Sequence, residues 1–194
     1  MSSRFSELLL AGGRSTRMGT DKAFVELNGV PLWRRQLQLL EELHPHELFI
    51  AGPAHEEWQE TNGVIISDAE PNAGPLAGIV AALKRCSAQL LLVIAVDLPH
   101  ISSRYLSELL DSCAADRGAV PSYGERCEPL AAVYPRCSLS LGERCLASRD
   151  LSVQRFAARC VSEGLAIEKE ITADERPLFL NMNTPDDLLA ASDA

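Results

Sequence analysis

Apolar positions recur along the chain in two rhythms, continuous short runs and helical stripes, and the switches between them mark out elements. Residues 8–11 are apolar and stop at Gly12-Gly13, so 7–11 reads as a buried strand. Pro31 then opens a helix whose Trp33, Leu37 and Leu40 share one face. A short strand is expected at 48–51, closed by Gly52-Pro53, and a β-branched one at 63–67, ending before Asp68. Leu76, Ile79, Val80 and Leu83 fall at i, i+3, i+4 and i+7, an amphipathic helix. Residues 90–96 are continuously apolar, as a central parallel strand covered on both faces must be. The helical stripe returns at Leu106, Leu109, Leu110 and Cys113, with Ser102 or Ser103 placed to cap it.

Beyond residue 117 the pattern weakens. It predicts strands at 119–123 and 130–134 around a polar turn, and helices near 138–148 and 153–162. A last strand is expected at 178–180, then a helix start at which Thr184 caps, Pro185 takes the first helical position and Asp186 and Asp187 face the dipole. No repeat or linker interrupts the series, so 1–194 is expected to form a single domain. The fold class that follows is α/β: a doubly wound, mainly parallel sheet with helices on both faces. Ligands of such sheets bind beyond the carboxyl ends of the strands, which directs attention to residues 12–22, Gly52, Asp68 and Asp97.

Composition narrows the function classes. The 194 residues are 46% hydrophobic and 23% charged, which excludes a disordered chain. The longest apolar run, 90–96, is too short to span a bilayer, and 8–11 is too short for a secretory leader. The six cysteines include no Cys-x-x-Cys pair, so reduced thiols and a cytoplasmic location are expected. A net charge of −9 argues against nucleic acid as a partner. Its distribution adds more: residues 1–35 carry six bases against three acids, a local basic spot that suits a small anionic ligand.

The chemistry concentrates after the first strand. Gly12, Gly13 and Gly19 let a backbone approach a ligand closely and turn its N–H groups inward, and Arg14, Arg17 and Lys22 bring positive charge to the same loop. This is a loop for a polyphosphate, although it matches neither the Walker A spacing nor Gly-x-Gly-x-x-Gly. Asp97, at the end of the apolar run 90–96, is either an oxygen ligand for a hard divalent cation or the turn residue before Pro99. Asp68 either accepts from a nucleoside's N–H or O–H donors or caps a turn. Asn181 and Asn183 either offer an oxygen to metal or phosphate or shape the turn before Thr184. The four histidines form no ligand pair at helical spacing.

The loop Leu10-Ala-Gly-Gly-Arg-Ser-Thr-Arg-Met-Gly-Thr-Asp-Lys22 resembles the signature of the molybdopterin guanylyltransferases, the MobA family, at every fixed position. The resemblance continues through Leu27-Asn-Gly-Val-Pro-Leu32, Gly74-Pro-Leu-Ala-Gly78, Asp97-x-Pro99 and Asn181-Met-Asn-Thr-Pro-Asp-Asp-Leu188, in order and over nearly the whole chain. It implies a Rossmann-like nucleotidyltransferase fold and transfer of GMP from GTP to molybdenum-bearing molybdopterin, with release of pyrophosphate. It implies Mg²⁺ on Asp97, catalytic charge from Lys22 with Arg17 or Arg14, and guanine met by Leu10, Ala11, Gly12 and Asp68. Gly13, Asn181 and Asn183 complete the nucleotide site on the same analogy. The partners implied are GTP, molybdopterin and downstream molybdoenzymes or their chaperones, with no membrane or nucleic acid. One departure stands out: an Asn that the family places after the second strand is replaced here by Ala51-Gly52-Pro53. Cytidylyl transfer, or transfer to another phosphorylated acceptor, is the neighbouring activity; Gly13, where cytidylyl relatives carry Ala, favours GTP. A binding module without catalysis is the contrasting class, opposed by the retention of Lys22 and Asp97.

Overall fold

A computed structural model describes residues 5–12, 21–53, 55–66 and 74–182. The first strand, β1 (Phe5–Leu10), forms from the apolar run that opens the chain. A 3₁₀ turn over Lys22–Phe24 leads into a small hairpin, β2 (Glu26–Leu27) and β3 (Val30–Pro31). Its Asn28 and Gly29 lie at φ 54° and 76°, the left-handed pair that an Asn-Gly hairpin turn requires. Then come α1 (Leu32–Glu41), β4 (Leu48–Ala51), a 3₁₀ helix at Glu56–Glu60, β5 (Val64–Ile66), α2 (Pro75–Arg85) and β6 (Leu90–Ala95). The later part holds α3 (Ser103–Asp111), β7 (Gly118–Tyr123), β8 (Arg126–Cys127), β9 (Ala131–Pro135), α4 (Leu139–Ala147), α5 (Val153–Ser162) and β10 (Ala166–Glu170).

The main sheet runs β10-β7-β9-β6-β1-β4-β5, with β8 on β7. β1 lies in its interior, parallel to β4 on one side and to the middle strand β6 on the other. One face packs on α1 and α3 through Leu32, Leu37, Leu40, Leu106 and Leu109. The other face packs on α2, α4 and α5 through Leu76, Ile79, Leu83, Leu141 and Phe156. This is why 90–96 reads as an unbroken apolar run: Leu90, Leu92 and Ile94 enter the first layer, Leu91 and Val93 the second. Each such side chain contributes on the order of 1.5–3 kcal/mol by burial. Ser102, one of the two expected caps, closes α3 by accepting from the Tyr105 N–H at 3.2 Å.

The sheet is mainly parallel, as expected; within it β9 runs antiparallel between β6 and β7, because the turn after β7 returns the chain directly instead of through a helix. In two places the second half departs from the expected elements. β10 is an edge strand parallel to β7 that the sequence reading missed; its Ala-Ile-Glu-Lys-Glu composition reads as polar surface. Residues 178–180 are not a strand. Arg176–Phe179 forms a 3₁₀ turn, since Pro177 fixes φ and Glu175 accepts from the Leu178 N–H at 3.0 Å and, through its carboxylate, from Thr172. The expected helix start at Thr184 lies outside the described residues.

Candidate active site at the carboxyl edge of the sheet

β1, β4 and β6 all leave the sheet at one edge, and the described candidate residues gather there. Val96 N–H donates to Leu10 O at 3.0 Å and Ala11 N–H to Ala51 O at 2.8 Å, so the three strand exits are bonded to each other. At the exits the backbones close up. A Cβ on Gly52 would stand 2.9 Å from Gly12 N and 3.1 Å from Ala11 C, so only glycine permits this approach. The residues expected to present backbone to a base, Leu10, Ala11 and Gly12, are thereby held against residue 52.

Lys22 and Asp97 meet directly, with Nζ 2.7 Å from Oδ2 and both side chains mostly shielded from water. They come from motifs 75 residues apart in sequence. Lys22 opens the 3₁₀ turn that Asp21 caps by accepting from the Ala23 N–H at 3.1 Å. Asp97 follows β6, and its flanks are tied down: Leu98 O accepts from the buried Gln36 side chain of α1, and Asp97 O accepts from the Met182 N–H at 2.9 Å. That last bond carries the backbone of Asn181, whose side chain is exposed, to the neighbourhood of Asp97. Gly13, Arg14, Arg17, Asp68 and Asn183 lie outside the described residues.

Two features of the site were not read from the sequence. Glu128 precedes β9, and extending the β6–β9 register from Ile94 opposite Ala131 sets it opposite Asp97. Its carboxyl is raised above the usual range, first by burial and then by the Asp97 charge, against a lowering by Arg126. The sequence carries no signal for it, because the pattern that predicts a strand at 130–134 fixes neither its neighbours nor its direction. The second feature is a contact of 3.2 Å between His55 Nε2 and Asp21 Oδ2, joining the loop after β4 to the end of the glycine-rich loop. His55 also packs against Phe24 at a tilt, with ring centroids 4.4 Å apart, and meets Trp58 edge-on at 4.7 Å.

The donor set suits a magnesium–nucleotide complex. Among the described residues no group of three or more His, Cys, Asp or Glu side chains gathers as a metal cage. A single carboxylate beside an ammonium fits a Mg²⁺ that would be held mainly through substrate oxygens and water rather than by a protein cage. None of the described helices is long and apolar enough to cross a membrane.

Comparison with known proteins follows the same outline. Residues 8–163 match the family model of the MobA-like NTP transferase domain. A protein of Opitutus terrae named a probable molybdenum cofactor guanylyltransferase is 36% identical over 182 residues, covering 92% of this chain and 90% of its own. The molybdenum cofactor guanylyltransferase of Syntrophotalea carbinolica is 33% identical over 189 residues, with 94% and 88% covered. Among solved structures, the molybdopterin-guanine dinucleotide biosynthesis protein A of Archaeoglobus fulgidus superposes with a TM-score of 0.77 at 23% identity, covering 97% of each chain. The 2-C-methyl-D-erythritol 4-phosphate cytidylyltransferase of Thermus thermophilus shares the fold at a TM-score of 0.73 and 20% identity, again over 97% of each. With its signature loop ending on Lys22, with Asp97 just beyond β6, and with relatives matching over nine-tenths of its length, the chain belongs to the MobA-like nucleotidyltransferase family.

Proposed function

We propose that the protein transfers GMP from GTP to the phosphate of molybdenum-bearing molybdopterin, forming the guanine dinucleotide cofactor and releasing pyrophosphate. The observation that carries this reading is the Lys22–Asp97 contact at the carboxyl edge of the sheet, within a chain similar to molybdenum cofactor guanylyltransferases. An oxygen of the acceptor's phosphate attacks the α-phosphorus of GTP; the bond to the bridging oxygen breaks, and that oxygen leaves on pyrophosphate. The attacking group is already ionised at neutral pH, so no general base is needed. Catalysis rests on positioning and charge neutralisation.

In this reading Lys22, with Arg17 or Arg14, stabilises negative charge that grows on the leaving pyrophosphate. Asp97 would hold Mg²⁺, which when bound supplies Lewis-acid polarisation of the α-phosphate. Asn181 and Asn183 would serve as further oxygen donors to the metal or a phosphate. Gly12 and Gly13 present backbone N–H groups, and Leu10, Ala11 and Asp68 meet the guanine. The work is cytoplasmic on this reading, with molybdoenzymes or their chaperones as the recipients of the product.

Base preference tests it. Guanine offers N1–H and the 2-amino group as adjacent donors to one carboxylate, whereas cytosine and adenine set a ring lone pair against it, and a hydrogen-bonding site can then discriminate by about 10⁴. The measurement is kcat/KM for GTP, CTP and ATP with molybdopterin, in the wild type and in Asp68→Ala. Strong GTP selectivity that erodes in the variant is expected. Equal use of CTP by the wild type would transfer the assignment to cytidylyl chemistry.

A further inference from the structure

The 3₁₀ turn that carries Lys22 is gripped at both ends by the loop that follows β4. At its start, Asp21 uses both carboxylate oxygens: Oδ1 accepts from the Ala23 N–H at 3.1 Å, and Oδ2 lies 3.2 Å from His55 Nε2. A carboxylate only accepts, so the imidazole carries its proton on Nε2 here. At its end, the Phe24 ring packs on His55 and runs nearly parallel to Trp58, with an interplanar angle of 14°. Ala23, between them, is fully buried. Lys22 therefore projects from a turn that is pinned on either side, and it reaches Asp97 at 2.7 Å.

Residues 51–53 are Ala, Gly and Pro, and Gly52 is pressed against Gly12. Among the described residues of the loop after β4, His55 reaches Asp21 at the end of the glycine-rich segment. Its side chain and that of Asp21 are about three-quarters buried, at 25% and 26% exposure, which shelters the contact from competing water.

We propose that His55 is a positioning residue for Lys22: through Asp21 it fixes the 21–24 turn so that the ammonium meets the phosphates of a bound nucleotide. It touches no reacting atom. The inference rests on the nucleotidyl-transfer reading above, and its test therefore uses nucleotide binding, which can be measured without the acceptor. His55→Phe keeps the ring between Phe24 and Trp58 and removes the donor; His55→Gln restores a donor without the ring.

The experiment is a cycle of His55→Phe, Lys22→Ala and the double variant, with His55→Gln as rescue, read by the dissociation constant for Mg²⁺–GTP and by kcat and KM for pyrophosphate release. Loss of one hydrogen bond to a carboxylate predicts GTP binding weaker by about ten-fold in His55→Phe. His55→Gln is expected within about two-fold of wild type, and on the Lys22→Ala background His55→Phe is expected to add less than about two-fold, since the route through Lys22 is already gone. Wild-type affinity in His55→Phe, absence of rescue by Gln, or full additivity in the double variant each overturns the proposal. A wild type that binds GTP but releases no pyrophosphate with molybdopterin overturns the proposed reaction instead, and the binding cycle still decides the role of His55.

Discussion

Glu7 is a carboxyl in the interior strand β1 with no exposure and, among the described residues, no hydrogen-bond partner for either oxygen. It lies between Phe5 and Leu9 on the face toward α1 and α3, opposite Leu48 of β4 and Leu92 of β6. Burial pushes its pKa from 4.5 to about 9. A carboxyl whose folded pKa is raised stabilises the fold fully only below its unfolded value, and that stability is lost as pH rises through the folded value. Between pH 5 and pH 8 the unfolded chain ionises freely and the folded chain does not, at about 1.36 kcal/mol per pH unit. The loss across that window is on the order of 4 kcal/mol, a large share of a typical 5–15 kcal/mol. Glu7→Gln keeps the shape and cannot ionise. Urea unfolding of both proteins from pH 5 to 8 is the assay, and every other titrating group cancels in the difference. The two should be similar at pH 5, with the variant ahead by roughly 3–4 kcal/mol at pH 8, or roughly 10 °C in Tm. A gap that stays constant with pH would refute the reasoning, because it would mean that Glu7 ionises as readily in the folded chain as in the unfolded one.

Three further outcomes are expected. Asp97→Asn leaves the fold intact and abolishes transfer at limiting Mg²⁺, read as pyrophosphate release against metal concentration; a wild-type rate there removes Asp97 from the metal role. Lys22→Ala loses a charge-assisted contact of about 1.5–3 kcal/mol, so kcat/KM for GTP should fall roughly 10- to 100-fold, and an unchanged value reduces Lys22 to a structural partner of Asp97. Gly52→Ala forces a methyl against Gly12 N, Ala11 C and Trp58, which should destabilise by about 1–3 kcal/mol and weaken GTP binding; thermal melting and calorimetry together check both, and wild-type values in each would deny the close approach.

The parts of this fold that were legible in sequence are those buried on both sides. The run at 90–96 and the stripe at 76–83 have no polar alternative, so periodicity alone locates them. β10 escaped because an edge strand is half solvated, and its Glu168, Lys169 and Glu170 look like loop. The 176–179 turn was mistaken for a strand because Leu178, Phe179 and Leu180 are apolar; the rigid Pro177 outweighs that pattern, and Leu180 ends up exposed. At the site, Lys22 and Asp97 each announced themselves through local context. Their contact did not, and neither did the pairing of Asp21 with His55 or the approach of Glu128 to Asp97. Those depend on which strands are neighbours, and only the antiparallel return of β9 brings the last about.

The interior position of β1 also shapes how the protein must be made. Residue 7 pairs with residues 48 and 92, so β1 is completed on its second side only after β6 has emerged. Until then the nascent chain holds an apolar strand with an open edge, which is prone to pairing with other chains. Helix-rich segments such as α1 and α2 can form locally in the meantime, but the sheet's core pairings are all distant in sequence, and such topologies fold slowly. Lys22 and Asp97 lie on either side of the same delay. The catalytic edge therefore comes into being with the pairing of β1 and β6, and a chain arrested before residue 90 has neither.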